Sequence, residues 1–387
     1  MLFKDVLVDE SLKKQLIRLV DENRISHAQL FLGKNGTHNF ALAIAFAQYL
    51  SCEDRHDGDS CGKCNSCLMF QKLQHPDLHL IFPNCTTKDV KKDADSNKLA
   101  SVFRDFVFAH NYHIDFNDWV SELKSENKEV TINIRDCANI ILQNSIRSYQ
   151  NGYKIYILWM AEKLSHVAAP KLLKTLEEPE NKTLFILLAE SSDSILPTII
   201  SRTQLVKIPP LANETIQQKL IQEFGLSQQT ATDVVAISEG NYIKAQQLTQ
   251  EKDELIQTLG RYACVMRVAT MMTRTSDPQQ IGYPAIQDLF TEIAKEGKES
   301  MKHFLTYVSR MFRNELLLQQ KNSTLVKATS EEMKILQDYQ SYFTVKNAMA
   351  LLTECNNAVY HIARNANAGL TLTDWFFKIV GAFANRN

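Results

Sequence analysis

The feature that most constrains this chain is an order of elements. HAQLFL (residues 27–32) is apolar and short enough for a buried strand; it runs into GKNG (33–36) and then a largely apolar stretch at 40–50, long enough for a helix. A strand, a glycine-containing turn and a helix in that order open a nucleotide-binding α/β unit. The alternation returns with VTINI (130–134), a helical pattern over 135–148, KIYIL (154–158), a helical pattern over 167–176, TLFILL (183–188) and PTIISR (197–202). Such alternation predicts a parallel sheet covered on both faces. Beyond residue 209 strands vanish, and apolar positions recur at helical spacing to the end, with a break at Gly240-Asn241. The expected class is α/β plus all-α: a sheet domain over 1–209, a small helical lid over 210–270 and a helical domain over 271–387. Within the first, residues 86–128 turn charged and irregular before an aromatic patch at 103–119, which reads as an insertion packed at one end and loop-like at the other.

A phosphate loop of the form G-x-x-x-x-G-K-[ST] cradles phosphates with backbone amides, neutralises them with Lys and holds Mg²⁺ with the hydroxyl. Here the junction reads GKNGTHNF (33–40). Gly33 and Gly36 are present, but His38 stands at the second motif glycine, Asn39 at the lysine and Phe40 at the hydroxyl. Losing one positive charge about 4 Å from a phosphate, at an effective dielectric of about 20, forfeits about 4 kcal/mol, roughly a thousandfold. The strand KIYIL ends in Trp159-Met160, where a P-loop enzyme places acids that hold Mg²⁺ and orient water. Glu162, two residues on, reads as a helix-start charge rather than a substitute acid. With both cooperating motifs stripped of charge, the chain is not expected to hydrolyse ATP or to need a bound nucleotide.

Four of the eight cysteines are crowded together: Cys52, then Cys61, Cys64 and Cys67 as two C-x-x-C steps sharing a residue. Four thiolates at this spacing close a tetrahedral Zn²⁺ site, with Gly62 easing the turn; a closed sulfur shell leaves no open position, so the ion is expected to be structural. An iron–sulfur cluster and unligated thiols are the alternatives. His56, His75 and His79 read as surface or packing residues, and Cys85, Cys137, Cys264 and Cys355 as buried small apolar side chains. The N-terminus lacks the apolar core of a signal peptide and no run is long enough to span a membrane, so a cytoplasmic location is expected. Net charge is −1, which excludes a uniformly basic nucleic-acid binder.

HAQLFLG (27–33), KLLKTLEEP (171–179) and ILPTIISR (195–202) resemble the AAA+ subunits of bacterial clamp loaders. With both nucleotide motifs degenerate, the chain resembles the delta-prime family of the DNA polymerase III clamp loader. The resemblance covers the first 210 residues except 86–128, which has no counterpart, and continues weakly through Asn365-Ala-Asn367 and Leu370-Thr-Leu. It implies an AAA+ domain carrying an inserted zinc module near 50–70, and a C-terminal collar over 271–387. The implied partners are gamma/tau-type ATPase subunits and a delta subunit in a hetero-pentameric ring, and through the ring the sliding clamp and primer-template DNA.

In this family a Ser-Arg-Cys triplet marks an arginine that reaches into the neighbouring ATP site. Ser201-Arg202-Thr203 keeps the arginine and replaces the cysteine. Such an arginine finger is worth about 10³–10⁵ in rate, against under about 1 kcal/mol for an ordinary surface ion pair. Lys244 stands where active members carry a nucleotide-sensing arginine, or is an ordinary helix-surface lysine. Phe304, Tyr307, Val308, Met311 and Phe312 form a stripe that reads as core, and the resemblance implies that some such faces build the collar. Two other functions compete. An autonomous ATPase needs charges the chain lacks, and a stand-alone zinc-module DNA binder predicts tight, salt-sensitive binding.

Overall fold

The structure is a computed structural model that describes residues 1–387 apart from 126–127, 150–151, 275–281, 365 and 385–387; Asn365 of the C-terminal motif thus lies outside the described residues. Five parallel strands, β1 (Ala28–Leu32), β2 (Leu78–Ile81), β3 (Lys154–Leu158), β4 (Thr183–Ala189) and β5 (Gln204–Lys207), form one sheet in the order β2-β3-β4-β1-β5. Side chains alternate along each strand and so feed two cores. Phe31, Ile155, Ile157, Ile186 and Leu188 face one side, with α1 (Glu10–Asp21), α2 (Asn39–Ser51), α3 (Asn65–Gln71), α4 (Ala100–Ala109) and α5 (Phe116–Glu122). Leu30, Tyr156, Leu158, Phe185 and Leu187 face the other, with α6 (Ile134–Asn144), α7 (Ala169–Glu177) and α8 (Pro197–Ile200).

Three local expectations are corrected. VTINI is not a strand: Thr131 and Ile132 make only isolated bridges, because the Asn133 side chain accepts from the Arg135 and Asp136 N–H groups and starts α6 there. The strand in its place is β2, whose four residues include His79 and carry too short a pattern to stand out. The helix over 135–148 stops at Asn144, where the buried Lys154 ammonium donates to the carbonyls of Gln143 (2.7 Å), Asn144 (3.1 Å) and Ile146. That satisfies acceptors a helix end leaves open. PTIISR forms a one-turn helix and a turn, and β5 follows it.

The 86–128 segment contributes α4 and α5, and its aromatic rings pack on the sheet domain: Phe103 stacks on Phe82 at 3.9 Å, and buried Trp119 meets both edge-on. Its start is pinned by Asp136. That carboxylate, itself buried, accepts from Ser96 N–H (2.7 Å) and Asn84 Nδ2 (2.9 Å), both buried, and from the half-buried Asn133 N–H (3.0 Å). An Asp136→Ala protein leaves these donors, two of them buried, unmet and is expected to lose about 3 kcal/mol. Urea denaturation should show a lower midpoint at unchanged slope.

Contacts divide the chain into two units, Met1–Ile216 with Gly240–Lys244, and Gln217–Glu239 with Ala245–Asn387. From α9 (Asn213–Phe224) on, the chain is helical: α10 (Gln228–Ser238), α11 (Tyr242–Gln250), α12 (Lys252–Met272), α13 (Tyr283–Glu296), α14 (Lys298–Gln319), α15 (Ser330–Tyr339), α16 (Val345–Ala363) and α17 (Ala368–Ala384). No strand follows β5 among the described residues, as the sequence predicts beyond residue 209. Phe304, Tyr307, Val308, Met311 and Phe312 are all buried in the second unit's own core, beside Trp375 and Phe376. No helix among the described residues is long and apolar enough to cross a membrane.

The same core holds an anomaly. Glu315 on α14 is fully buried and neither carboxyl oxygen has a hydrogen-bond partner. Burial pushes its pKa from 4.5 up to about 8. Between those values the unfolded chain is ionised and the folded one is protonated, so stability falls as pH rises, by about 1.4 kcal/mol per unit. Glu315→Gln should remove that slope. Calorimetry should show the variant gaining on wild type from pH 5 to pH 8, by several kcal/mol at the upper end.

Candidate functional site

The four clustered cysteines converge. Cys52 ends α2, Cys64 caps the N-terminus of α3, and Cys67 lies in its first turn. Gly62, between Cys61 and Cys64, has φ +69°, a left-handed turn that glycine adopts without cost. The Sγ atoms all lie within 4.8 Å of one another, with Cys61 and Cys67 3.9 Å apart. A tetrahedral ion with metal–sulfur bonds of about 2.3 Å needs sulfurs about 3.8 Å apart, so the four side chains fit a metal ion with little movement. Backbone N–H groups point at the sulfurs: Lys63 and Cys64 donate to Cys61 (3.4 and 3.3 Å), Cys61 to Cys52 (3.3 Å) and Cys67 to Cys64 (3.5 Å). The pair from Lys63 and Cys64 brings the Cys61 thiol down to about 6, whereas burial pushes Cys67 up. Asp59 ties the module to the chain start through the N–H groups of Phe3 (3.0 Å) and Lys4 (3.1 Å).

The nearby histidines stay outside this cluster. His75 packs on Phe70 and His79 stacks on Tyr156, each at 4.7 Å, and His56 is exposed. Of the scattered cysteines, Cys85, Cys137 and Cys355 are buried as expected; Cys264 is only half-buried.

At the strand-to-helix loop Gly36 and His38 are both left-handed, and the side chains of Thr37, His38 and Phe40 are buried. His38 holds a left-handed φ of +56° although it is not glycine, and it is buried with neither ring nitrogen hydrogen-bonded. Burial, then His113, holds its pKa well below the ordinary value, so the ring is neutral at pH 7. Thr37 Oγ1 donates to Lys34 O (2.7 Å). Phe40 is buried against Phe103, and Trp159 lies 5.6 Å from the same ring. Met160 is buried and left-handed at φ +57°. Asn39 Oδ1 accepts from Phe40 N–H (2.7 Å), taking up one amide at the start of α2. Glu162 accepts from Glu190 N–H (3.0 Å), and burial raises its pKa.

Arg202 follows α8 on the surface, its side chain 34% exposed. Its guanidinium pairs with Glu177 at the end of α7 and donates to Thr198 O (2.9 Å) and Ser201 Oγ (3.2 Å). Glu177 belongs to the LKTLEEP stretch; sequence reading marked the stretch and missed the partnership, which an acid one helix away from an exposed arginine hints at only weakly. Asn241 was missed as well. It caps α11 by accepting from Lys244 N–H (2.9 Å) and donates to Asn35 O (3.1 Å).

A family model described as DNA polymerase III, delta subunit matches residues 8–212, more than half of the chain. The delta-prime subunit of DNA polymerase III from Bacillus subtilis is 29% identical over 210 residues, covering 54% of this chain and 50% of that protein. The chain belongs to the DNA polymerase III delta-prime family. A second delta-prime relative, from Haemophilus influenzae, is 29% identical over 237 residues, covering 61% of this chain and 59% of that one. The match thus spans half to three-fifths of these relatives. A gamma subunit-related protein of DNA polymerase III from Thermotoga maritima aligns over 97% of this chain and 99% of its own, at 15% identity and a TM-score of 0.40. The delta-prime match includes the loop at 33–40, Trp159-Met160, the four cysteines and Arg202, and it ends before most of the helical unit.

Proposed function

We propose that this chain is a non-hydrolysing subunit of a clamp-loader complex. It sits in a hetero-pentameric ring beside a gamma/tau-type ATPase subunit, with a delta subunit in the same ring. From there it lends Arg202 to its neighbour's ATP site and so helps load the sliding clamp on primer-template DNA in the cytoplasm. Residues 210–270 serve as the lid and 271–387 as the collar that holds the ring. The observation that carries this reading is a contrast within one chain: its own catalytic positions, Phe40, Trp159 and Met160, are uncharged and buried, while Arg202 stays charged and partly exposed.

Physically, the arginine acts where charge develops on the transferring γ-phosphate. Its pairing with Glu177 orients the guanidinium in the free subunit at small cost, because a partly exposed ion pair is worth under about 1 kcal/mol. A phosphate oxygen in a closed interface outcompetes it. Zn²⁺ is the ion we assign to Cys52, Cys61, Cys64 and Cys67, as a structural brace between α2 and α3.

The test is ATP turnover in two settings. The isolated chain should hydrolyse no ATP above background, and adding it to the gamma/tau-type ATPase and delta subunits should raise turnover on primed DNA and clamp. Turnover by the isolated chain that mutation of residues 36–40 abolishes would establish an autonomous ATPase instead.

A further inference from the structure

Open parallel sheets bind ligands outside the carboxyl ends of their strands, where the strand order reverses. In this chain the order reverses at β1, between β4 and β5, so the loop at 33–38 borders that crevice. Loss of Lys and Ser/Thr from the loop would by itself leave an open, weakly binding seat. The side chains around it describe something else.

Contacts reach the seat from two distant stretches of chain. From the 86–128 segment, Phe103 on α4 packs its ring edge-on to Phe40 (6.0 Å, 82°) and against Trp159. Trp119 on α5 backs Phe103 at 5.1 Å and is fixed by a 2.7 Å hydrogen bond from its indole N–H to Pro83 O. The His113 ring lies 3.9 Å from that of His38, the Asp115 carboxylate accepts from Asn35 Nδ2, and the Phe116 ring receives Lys163 Nζ at 4.6 Å. From the second stretch, Asn241 lies so close that a Cβ on Gly36 would meet its side chain at 2.0 Å, and Tyr242 comes within 6.0 Å of His38. Residues 240–244 group with the sheet unit, although the chain on either side of them belongs to the helical unit.

We propose that the helices and turn over 100–119, with Asn241 and Tyr242, are a built-in occupant of the nucleotide seat. They exclude adenine nucleotides by filling the crevice, and they hold the loop at 33–40 in one conformation with no ligand bound. The inference rests on the non-hydrolysing reading and extends it: the site is closed by packing as well as stripped of charge, so its shape does not follow the nucleotide state. It also gives the 86–128 segment a task. Rings at Phe103 and Trp119 complete an apolar wall that Phe40 and Trp159, in place of a hydroxyl and an acid, make possible. Asn241 supplies a polar clasp on the loop's far side.

Hydrogen exchange and nucleotide binding on the full chain test this. In the wild type, the buried Thr37 and Phe40 amides, which donate to Lys34 O and Asn39 Oδ1, should exchange slowly, and saturating Mg-ATP should not alter exchange over 34–40. Asn241→Ala removes one hydrogen bond to the loop and should speed exchange there about tenfold, leaving β4 unchanged. Asn39→Lys restores the phosphate-binding charge at a half-exposed position. It should still bind fluorescent N-methylanthraniloyl-ATP no tighter than about 1 mM. Rapid exchange of the Thr37 and Phe40 amides in the wild type, a change over 34–40 on adding Mg-ATP, unchanged exchange in Asn241→Ala, or micromolar binding by Asn39→Lys would each overturn the proposal. None of these results bears on Arg202, whose effect is read at the neighbour's site.

Discussion

A Cys64→Ser protein is expected to lose its metal and, with it, the fixed geometry of residues 52–71. Serine suits this test because its hydroxyl accepts a hydrogen bond at a helix N-terminus as well as any residue does. The cap of α3 therefore survives, and the change isolates the metal. Structural Zn²⁺ contributes about 10–16 kcal/mol of apparent folding free energy in isolated zinc modules. Part of that is replaced here by burial, since α2 and Phe70 belong to the main core of the sheet unit. Even about 3 kcal/mol lost from a unit of roughly 200 residues lowers Tm by about 6–12 °C. Elemental analysis should give one zinc per wild-type chain and a small fraction of that in the variant. Full occupancy in Cys64→Ser would contradict a four-cysteine site.

How much of this was legible beforehand depended on what each residue's signal rests on. β3 was readable because IYIL (155–158) is a continuous apolar run buried on both faces, and the cysteine cluster because its geometry is written in local spacing. VTINI misled because β-branched residues mark extended backbone, whereas membership of the sheet depends on a neighbour: Thr131 finds only Asn84. The end of α6 was set by Lys154, ten residues past Asn144 and on another element. Contacts of Asn241 with Asn35 and of His113 with His38 join residues far apart in sequence, and no periodicity reports them. The sequence could mark Phe40 and Trp159 as chemically wrong for nucleotide. What stands against them in space became visible only when α4 and α5 were placed.

Arg202→Ala carries the second large effect. In a clamp-loader assembly an arginine given in trans acts on the transition state rather than on ground-state binding, so nucleotide affinity at the neighbouring site should change little while its hydrolysis rate falls by about 10³-fold or more. Total turnover falls less, because other sites in the ring keep their own arginines. Arg202→Lys should recover only part of the rate, since an ammonium keeps the charge but loses the planar fork that contacts two oxygens at once. Glu177→Gln loosens the guanidinium in the free subunit and should have a small effect, because that pair is exposed and weak.

The most direct test of the central claim is single-turnover hydrolysis at the site adjoining this chain, in an assembly whose other ATP sites are inactivated, with clamp and primed DNA present and assembly confirmed by size. The account predicts a fast phase with wild-type chain that disappears with Arg202→Ala at unchanged nucleotide occupancy. An equal rate with both proteins would contradict it.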